Sequence, residues 1–569
     1  MPRLNLSDDT LRGPSLEERK QSQGPAKRLI EKLVVTLSSN VESDPPSRGR
    51  RVFIATQLII SFLLVMYAVF APHSIALTQG AYLIAMGAWT VQLVATRRLN
   101  LKRSSLDIAL FGFFACCVIS SFLSYDPLVS IKGLKSPAFF LAFYFVSNRV
   151  RTIRFAVFLA MVLIASCLVN VAYSGFTLAV GRGLKIESIN PDGPFANDVI
   201  RVGDTIVEAD DQSVNTPDEL VRVVDAQRGR LHLKLRRKEA IVETSIPRQA
   251  IIESSGSGFE RLGITTSSGR NFRIMGFYSH YETYAEVLQL IAALAIGFLI
   301  AIPDKRSSIA RFLYIAIPLL TLTLVLTSTR AALAGLALGV TTIAIANGRR
   351  ALMVAVLAVS VVLPLALLSV ERSRGVAFFD PEEGSTAYRL EVWREAFGII
   401  KDNPFLGIGK GSEGKLRDSL GLYDEGRLPP GHFHSTPVQI AVWWGLTSLI
   451  FYCSFMTIFG ICIWRLVRVL KSEGRWQLRG IAQGGLGALV AFNVSSLAHF
   501  NFGDGEVVMA FWLLTGLAFA IRRIAAESPG DATTQTTTLP STGSSDRNQL
   551  PGPVATSESS ARVARAKSN

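Results

Sequence analysis

Cysteine and histidine are scarce: the 569-residue chain holds five cysteines and six histidines. Cys116, Cys117, Cys167, Cys453 and Cys462 all fall inside apolar runs and read as small buried hydrophobes. Their spacing suits neither a zinc cluster nor a disulfide framework. No His-Glu-x-x-His occurs, which excludes a zinc protease of that type, and no metal or cofactor is expected. Gly-Ile-Gly-Lys-Gly at 407–411 lacks the Gly-Lys-Ser/Thr order of a nucleotide phosphate loop. Acidic residues are also short, 44 against 59 Lys and Arg, for a net charge of +15. A nucleic-acid partner would need a basic, aromatic-interleaved domain, and none is present. The basic residues instead form short clusters between apolar runs, as they do when they set membrane topology. Residues 1–50 are too long and polar to lead a cleaved signal peptide, so the first span is expected to be retained.

What the chain has in abundance is apolar sequence: 49% hydrophobic residues and a mean hydropathy of +0.34. Segments near 53–70, 74–96, 106–124, 136–147, 153–173, 280–302, 311–328, 329–347, 350–369, 435–464, 480–499 and 506–521 approach the length a span requires. About twelve helices are therefore predicted. RGRR, RRLNLKR, NRVRTIR, PDKRSSIAR, GRR, RLVRVLKSEGRWQLR and a final RR fall at the termini or at even-numbered gaps. With basic loops inside, both termini are cytoplasmic, and two large loops, 174–279 and 370–434, face outward. The polar residues 1–50 and the Ser/Thr/Pro/Gly-rich tail 526–569 bury too little surface to fold alone.

The first outward loop reads as a soluble α/β insert, with short β-branched strands between Gly/Asp/Pro turns and one helix from Pro217. Gly181-Arg182-Gly183-Leu184, Asp192-Gly193-Pro194, Gly203-Asp204 and the helix after Thr216 together resemble a bacterial PDZ domain, assigned to 176–250. That resemblance implies that Gly181, Arg182, Gly183 and Leu184 offer backbone N–H groups to a peptide C-terminus, the peptide adding as a strand. A packing module without a ligand is the alternative.

Candidate chemistry lies at the outward ends of the spans. His434 stands at the mouth of a long apolar segment, in the pattern His434-Ser435, nine residues, Gly445, two residues, Ser448. A neutral histidine there can take a proton from a hydroxyl, or simply cap the helix. Arg330, in Leu-Thr-Ser-Thr-Arg, is costly near a hydrophobic helix unless it snorkels or meets an anion such as a diphosphate. Arg389 and Arg394 ride an interfacial helix whose apolar stripe is Leu390, Trp393, Phe397 and Ile400; Pro404 and glycines 407, 409 and 411 end it. His280, Glu282, Tyr284, Glu286 and Gln289 are too polar for lipid and are expected to face a cavity, or to form a structural polar cluster.

These pieces, in this order, resemble the O-antigen ligase and O-antigen polymerase superfamily of bacterial membrane glycosyltransferases. They are the His280 segment, Thr-Ser-Thr-Arg330, Arg389-x-x-x-Trp393-x-x-Ala396 with Asn403-Pro404-x-x-Gly407-x-Gly409, and His434-Ser435-x9-Gly445. Ser448 departs from the Gly, Thr or Tyr that closes the ligase pattern. The resemblance implies a polytopic all-α, GT-C-like membrane protein of the bacterial inner membrane, with a PDZ-like periplasmic insert. Its parts would be 51–175 with helices 1–5, the insert, 251–370 with a linker and helices 6–9, a periplasmic catalytic loop at 371–434, and 435–525 with helices 10–12. It further implies an inverting transfer of a glycan from undecaprenyl diphosphate to an acceptor hydroxyl on lipid A-core or polysaccharide. His434 would be the base, Arg330 and Arg389 would hold the diphosphate, and His280, Glu282, Tyr284 and Arg394 would contact substrate. A repeat-unit polymerase is the alternative within the class. A transporter or scaffold that captures peptides through the insert is the alternative outside it.

Overall fold

Each of the twelve apolar segments is helical in the computed structural model. It describes residues 25–527 apart from 43–45, 48, 98–100, 227–228, 238–239, 271–272, 375–383 and 429–430. Among the described residues nine helices are long and apolar enough to cross a membrane. The other three are Ile75–Thr96, Trp476–Ser495, whose four glycines dilute its hydropathy, and Asp107–Phe122, which has 16 residues. The short segment expected at 136–147 belongs to a broken span, Pro127–Gly133, a 3-10 turn Pro137–Phe140 and Leu141–Arg149. The chain is a polytopic helical membrane protein.

Glycine sets the packing at its centre. Tyr281–Ala301 and Arg330–Asn347 both lie against Trp476–Ser495. A Cβ on Gly297 would come within 2.4 Å of the Gly484 amide nitrogen, and one on Gly339 within 2.5 Å of the Gly487 carbonyl. Small residues let helix backbones approach where lipid supplies no hydrophobic drive between them. Polar groups then fix the register: Gln289 Nε2 donates to Ser495 Oγ at 2.8 Å, and Gln483 Nε2 donates to Asn347 Oδ1 at 2.9 Å.

The Thr436–Ser472 helix is interrupted at Gly445, whose φ is 79°. The break frees backbone groups that cannot stay unpaired at membrane depth. The turn after the Gly384–Asp402 helix satisfies them: Ile408 N donates to Val442 O (2.9 Å), Gly409 N to Trp443 O (2.8 Å), and Leu446 N to Pro404 O (2.7 Å). Thus Asn403-Pro404-x-x-Gly407-x-Gly409 and Gly445 are two halves of one joint. A Cβ at Gly445 would lie 2.2 Å from the Phe405 carbonyl oxygen and would also strain the left-handed backbone. Gly445→Ala is expected to cost about 2–3 kcal/mol or more. A thermal-unfolding midpoint equal to wild type in detergent would refute this role.

Two expectations need correction. Residues 25–42 fold, although 1–50 was expected to be disordered. Pro25–Ser39 is a helix whose Leu37 packs on the bundle, and buried Asn40 donates to Ser61 Oγ and to the Arg149 carbonyl, both at 2.9 Å. The overall polarity of the segment hid one helical stripe. Residues 1–24, and the tail from 528, lie outside the described residues.

The second correction concerns the insert, whose sheet does not stop at 250. Its strands are β1 (Leu184–Ile189), β2 (Thr205–Ala209), β3 (Gln212–Ser213), β4 (Arg230–Arg237), β5 (Ala240–Pro247) and β6 (Ile264–Ser268). The order is β5-β4-β2-β1-β6, every described pairing is antiparallel, and β3 pairs with β2. β6 comes from the stretch expected to be linker. Leu220, Val223 and Val224 of the Pro217–Ala226 helix close the core over Ile186, Ile206 and Leu233.

Candidate active site

The 421–434 loop is held over the Gly384–Asp402 helix before it reaches His434. Tyr423, Asp424 and Glu425 are all left-handed, at φ 62°, 52° and 55°. The Glu395 carboxylate accepts from the Tyr423 amide (2.9 Å) and the Asp424 amide (2.8 Å), capping that turn. Tyr423 Oη donates to Gly431 O at 2.6 Å, and Trp393 Nε1 donates to Phe433 O at 2.7 Å. Phe433 N donates to Gln439 Oε1 at 2.7 Å. Held on both sides, His434 itself sits at φ 45°, a conformation that costs a non-glycine residue about 1–3 kcal/mol.

Around it gather three of the chain's five other histidines, His280, His432 and His499. His432 lies ring to ring with His434, 4.1 Å between centroids, and 5.6 Å from His499. Tyr388 meets His434 edge-on at 5.5 Å. The His434 amide donates to His432 Nδ1 at 3.2 Å, which makes His432 an acceptor and therefore the Nε2–H tautomer. His499 is the bridge. Its Nε2 is 3.3 Å from Glu282 and its Nδ1 3.1 Å from Glu286, while Arg389 pairs with Glu282 at 3.6 Å. The row Arg389, Glu282, His499, Glu286 thus alternates in sign. Thr436 N donates to Ser496 O (2.8 Å) and its Oγ1 to Asn501 Oδ1 (2.9 Å), locking the His434 loop to the turn that carries His499.

The histidines carry different charges. Burial would lower His499, but Glu286 and Glu282 override it and push its pKa up to about 9, so it is protonated at neutral pH. Burial, then Arg389, lowers His434 to about 4; burial, then His434, lowers His432 to about 3. A charged histidine therefore stands beside two neutral ones. His434 Nδ1 is buried without a hydrogen-bond partner among the described residues.

Of the residues expected from sequence, His434, Arg389 and Glu282 come together. His280 caps the Tyr281–Ala301 helix at the edge of the group, its ring against Tyr281. Arg330 begins the Arg330–Asn347 helix, and Gly335, five residues on, abuts Gln289. At 1.5 Å per residue that sets Arg330 at about the level of Glu282.

Two residues do not join the cluster. Tyr284 is fully buried in the helix core, accepting from Ser174 Oγ at 3.0 Å, because its face of the helix turns towards Ile153–Val180. Arg394 is exposed, carried by the helical turn onto another face than Arg389. That helix buries Val392, Ala396 and Ile399, whereas Leu390 and Phe397 of the expected stripe are exposed. His432 and His499 were not anticipated. The available signal was the polar run His499-Phe-Asn-Phe-Gly-Asp504-Gly-Glu506 between the last two helices, too charged for an idle turn.

In the insert, three of the four amides expected to cradle a peptide carboxylate are taken, Gly181 N donating to Thr177 O at 2.9 Å. Arg182 N donates to Gly269 O at 2.7 Å, and Gly183 N to Asn215 Oδ1 at 3.1 Å. The sheet ends at β6 and β5.

Residues 313–453 match the family model described as O-antigen ligase. This stretch contains Arg330, Arg389 and His434. No curated protein matches the chain.

Proposed function

We propose that this chain is an O-antigen ligase-type glycosyltransferase that moves a glycan from undecaprenyl diphosphate to an acceptor hydroxyl. The observation that carries the reading is the convergence of His434, Arg389, Glu282 and His499 at one end of the bundle, two of the four lying within the stretch that matches the ligase family. Neutral His434 takes the acceptor proton as the hydroxyl oxygen bonds to the anomeric carbon. The bond from that carbon to the diphosphate oxygen breaks, and the lipid diphosphate leaves with the electron pair. Arg389, with Arg330 at its level, binds the diphosphate and offsets the charge that grows on it. One in-line displacement inverts the anomeric centre. The basic helix ends, among them Arg151, Arg306, Arg350 and Arg522, lie at the opposite end of the bundle, which supports a periplasmic site and cytoplasmic termini.

The test is deletion followed by a lipopolysaccharide gel and an assay for lipid-linked glycan. Loss of the long-chain ladder, with undecaprenyl-linked polymer accumulating, is the expected result; an unchanged ladder refutes the reading. A single-repeat cap would instead indicate the repeat-unit polymerase. Ser448, outside the ligase pattern and donating to Trp444 O at 2.7 Å just past the Gly445 break, keeps that second reading in play. For the insert, peptide capture by strand addition fits the outer edge of β6 better than the Gly181–Leu184 loop, where the amides of Gly181, Arg182 and Gly183 are already bonded.

A further inference from the structure

At the end of the bundle remote from His434, the ends of Ile75–Thr96, Leu141–Arg149 and Gly505–Glu527 meet the 101–106 turn around a cavity of three adjoining lobes. The lobes hold about 170, 300 and 500 Å³ and share Lys102 and Asn148. The first is walled by Met86, Trp89, Leu101, Phe111 and Leu141. The other two are ringed by basic side chains, Arg103, Arg151, Arg522 and Arg523.

Among the described residues the charges around the lobes do not balance: six cations (Lys102, Arg103, Arg149, Arg151, Arg522, Arg523) face three carboxylates (Asp107, Glu42, Glu527). All three carboxylates are engaged. Glu42 pairs with Arg151, Glu527 pairs with Lys102, and Asp107 accepts from Tyr144 Oη at 2.7 Å. Two of these cations are drawn inward from the exposed rim. Arg149 is only 5% exposed and lies 5.2 Å from the Trp89 ring centre. Arg523 donates to the Val150 carbonyl, yet its Nε is buried without a hydrogen-bond partner among the described residues. Cations desolvated in this way are costly unless an anion joins them.

We propose that this cavity binds an anionic phospholipid, the phosphodiester in the basic lobes and the start of an acyl chain along Met86, Trp89 and Phe111. Two features choose a lipid over a free phosphate. The apolar lobe borders the basic ones, sharing Lys102 and Asn148 with both, and its walls adjoin exposed apolar side chains, with Leu83, Val94 and Phe111 all more than half exposed. Basic pockets between helix ends are a recurrent way of holding such headgroups. The site is independent of the glycan chemistry at the other end.

Full-length protein in detergent can be titrated with phosphatidylglycerol, phosphatidylcholine or inorganic phosphate. Retained lipid is read by native mass spectrometry, and stability by thermal unfolding. Phosphatidylglycerol is expected to stay bound and raise the unfolding midpoint by several degrees, the other two to do neither. Arg103→Gln with Arg522→Gln at the rim, and separately Arg149→Gln, should each weaken retention at least tenfold. Arg311→Gln, outside the cavity, should leave it unchanged. Equal effects of the two lipids, an equal shift with phosphate alone, undiminished retention in the folded rim variant, or loss in Arg311→Gln would each overturn the proposal.

Discussion

His499→Ala is expected to destabilise the protein by about 3–5 kcal/mol, the cost of removing one member of a buried, hydrogen-bonded ion pair. Glu286 is 1% exposed and its Oε2 meets His499 Nδ1; Glu282 has Arg389 as a second partner, but Glu286 has no other cation within ion-pair distance among the described residues. Alanine would therefore strand a carboxylate in the core. The pH dependence identifies the cause. A histidine raised from 6.5 to about 9 on folding contributes stability that is complete below pH 6.5 and disappears as the pH climbs through 9. The shift corresponds to about 3 kcal/mol at 1.36 kcal/mol per unit. Wild type should thus lose its unfolding midpoint steeply between pH 7 and 10, and His499→Gln should lack that alkaline limb. Parallel wild-type and His499→Gln curves over this range would show that His499 is not charged in the fold.

Much of this arrangement is legible in the chain, and the parts that are not share a cause. Hydropathy finds helices because a span must satisfy its backbone internally, and all twelve segments are helical. It misjudges 136–147, where Pro137 breaks the span, because a window average does not register one missing N–H donor. His434, Arg389 and Glu282 stand out because each is a polar group in an apolar neighbourhood. Tyr284 stood out on the same ground and is a core residue, since a tyrosine needs only one partner, here Ser174, to be buried. His499 was missed for the opposite reason. It lies in a turn outside the apolar helices, where only the density of charge in the run to Glu506 marks it, and its role depends on two glutamates more than 200 positions away. In the insert, β6 is short and polar, Ile-Thr-Thr-Ser-Ser, and becomes a strand only because β1 offers it an edge. Periodicity reads local pairing, and this pairing spans some 80 residues.

His434→Ala is expected to lower glycan transfer by about 10²–10⁴-fold while leaving stability near wild type, as loss of a general base would. The ring is edge-packed and half-buried, and its substitution strands no charge. The finer test is the acid limb of the rate. A base must be neutral, and His434 in the empty site is held near 4 by burial and by Arg389. On the proposed function, a lipid diphosphate engaging Arg389 would offset that repulsion and make the imidazole a stronger base in the complex. So kcat/KM, which reports the free enzyme, should stay flat down to about pH 5, and kcat, which reports the complex, should begin to fall at a higher pH. Arg389→Gln removes a cation beside the ring, so the free-enzyme limb should move up in pH while KM for the lipid-linked donor rises. If kcat/KM and kcat instead share one acid limb that Arg389→Gln does not move, His434 is not the group that takes the proton.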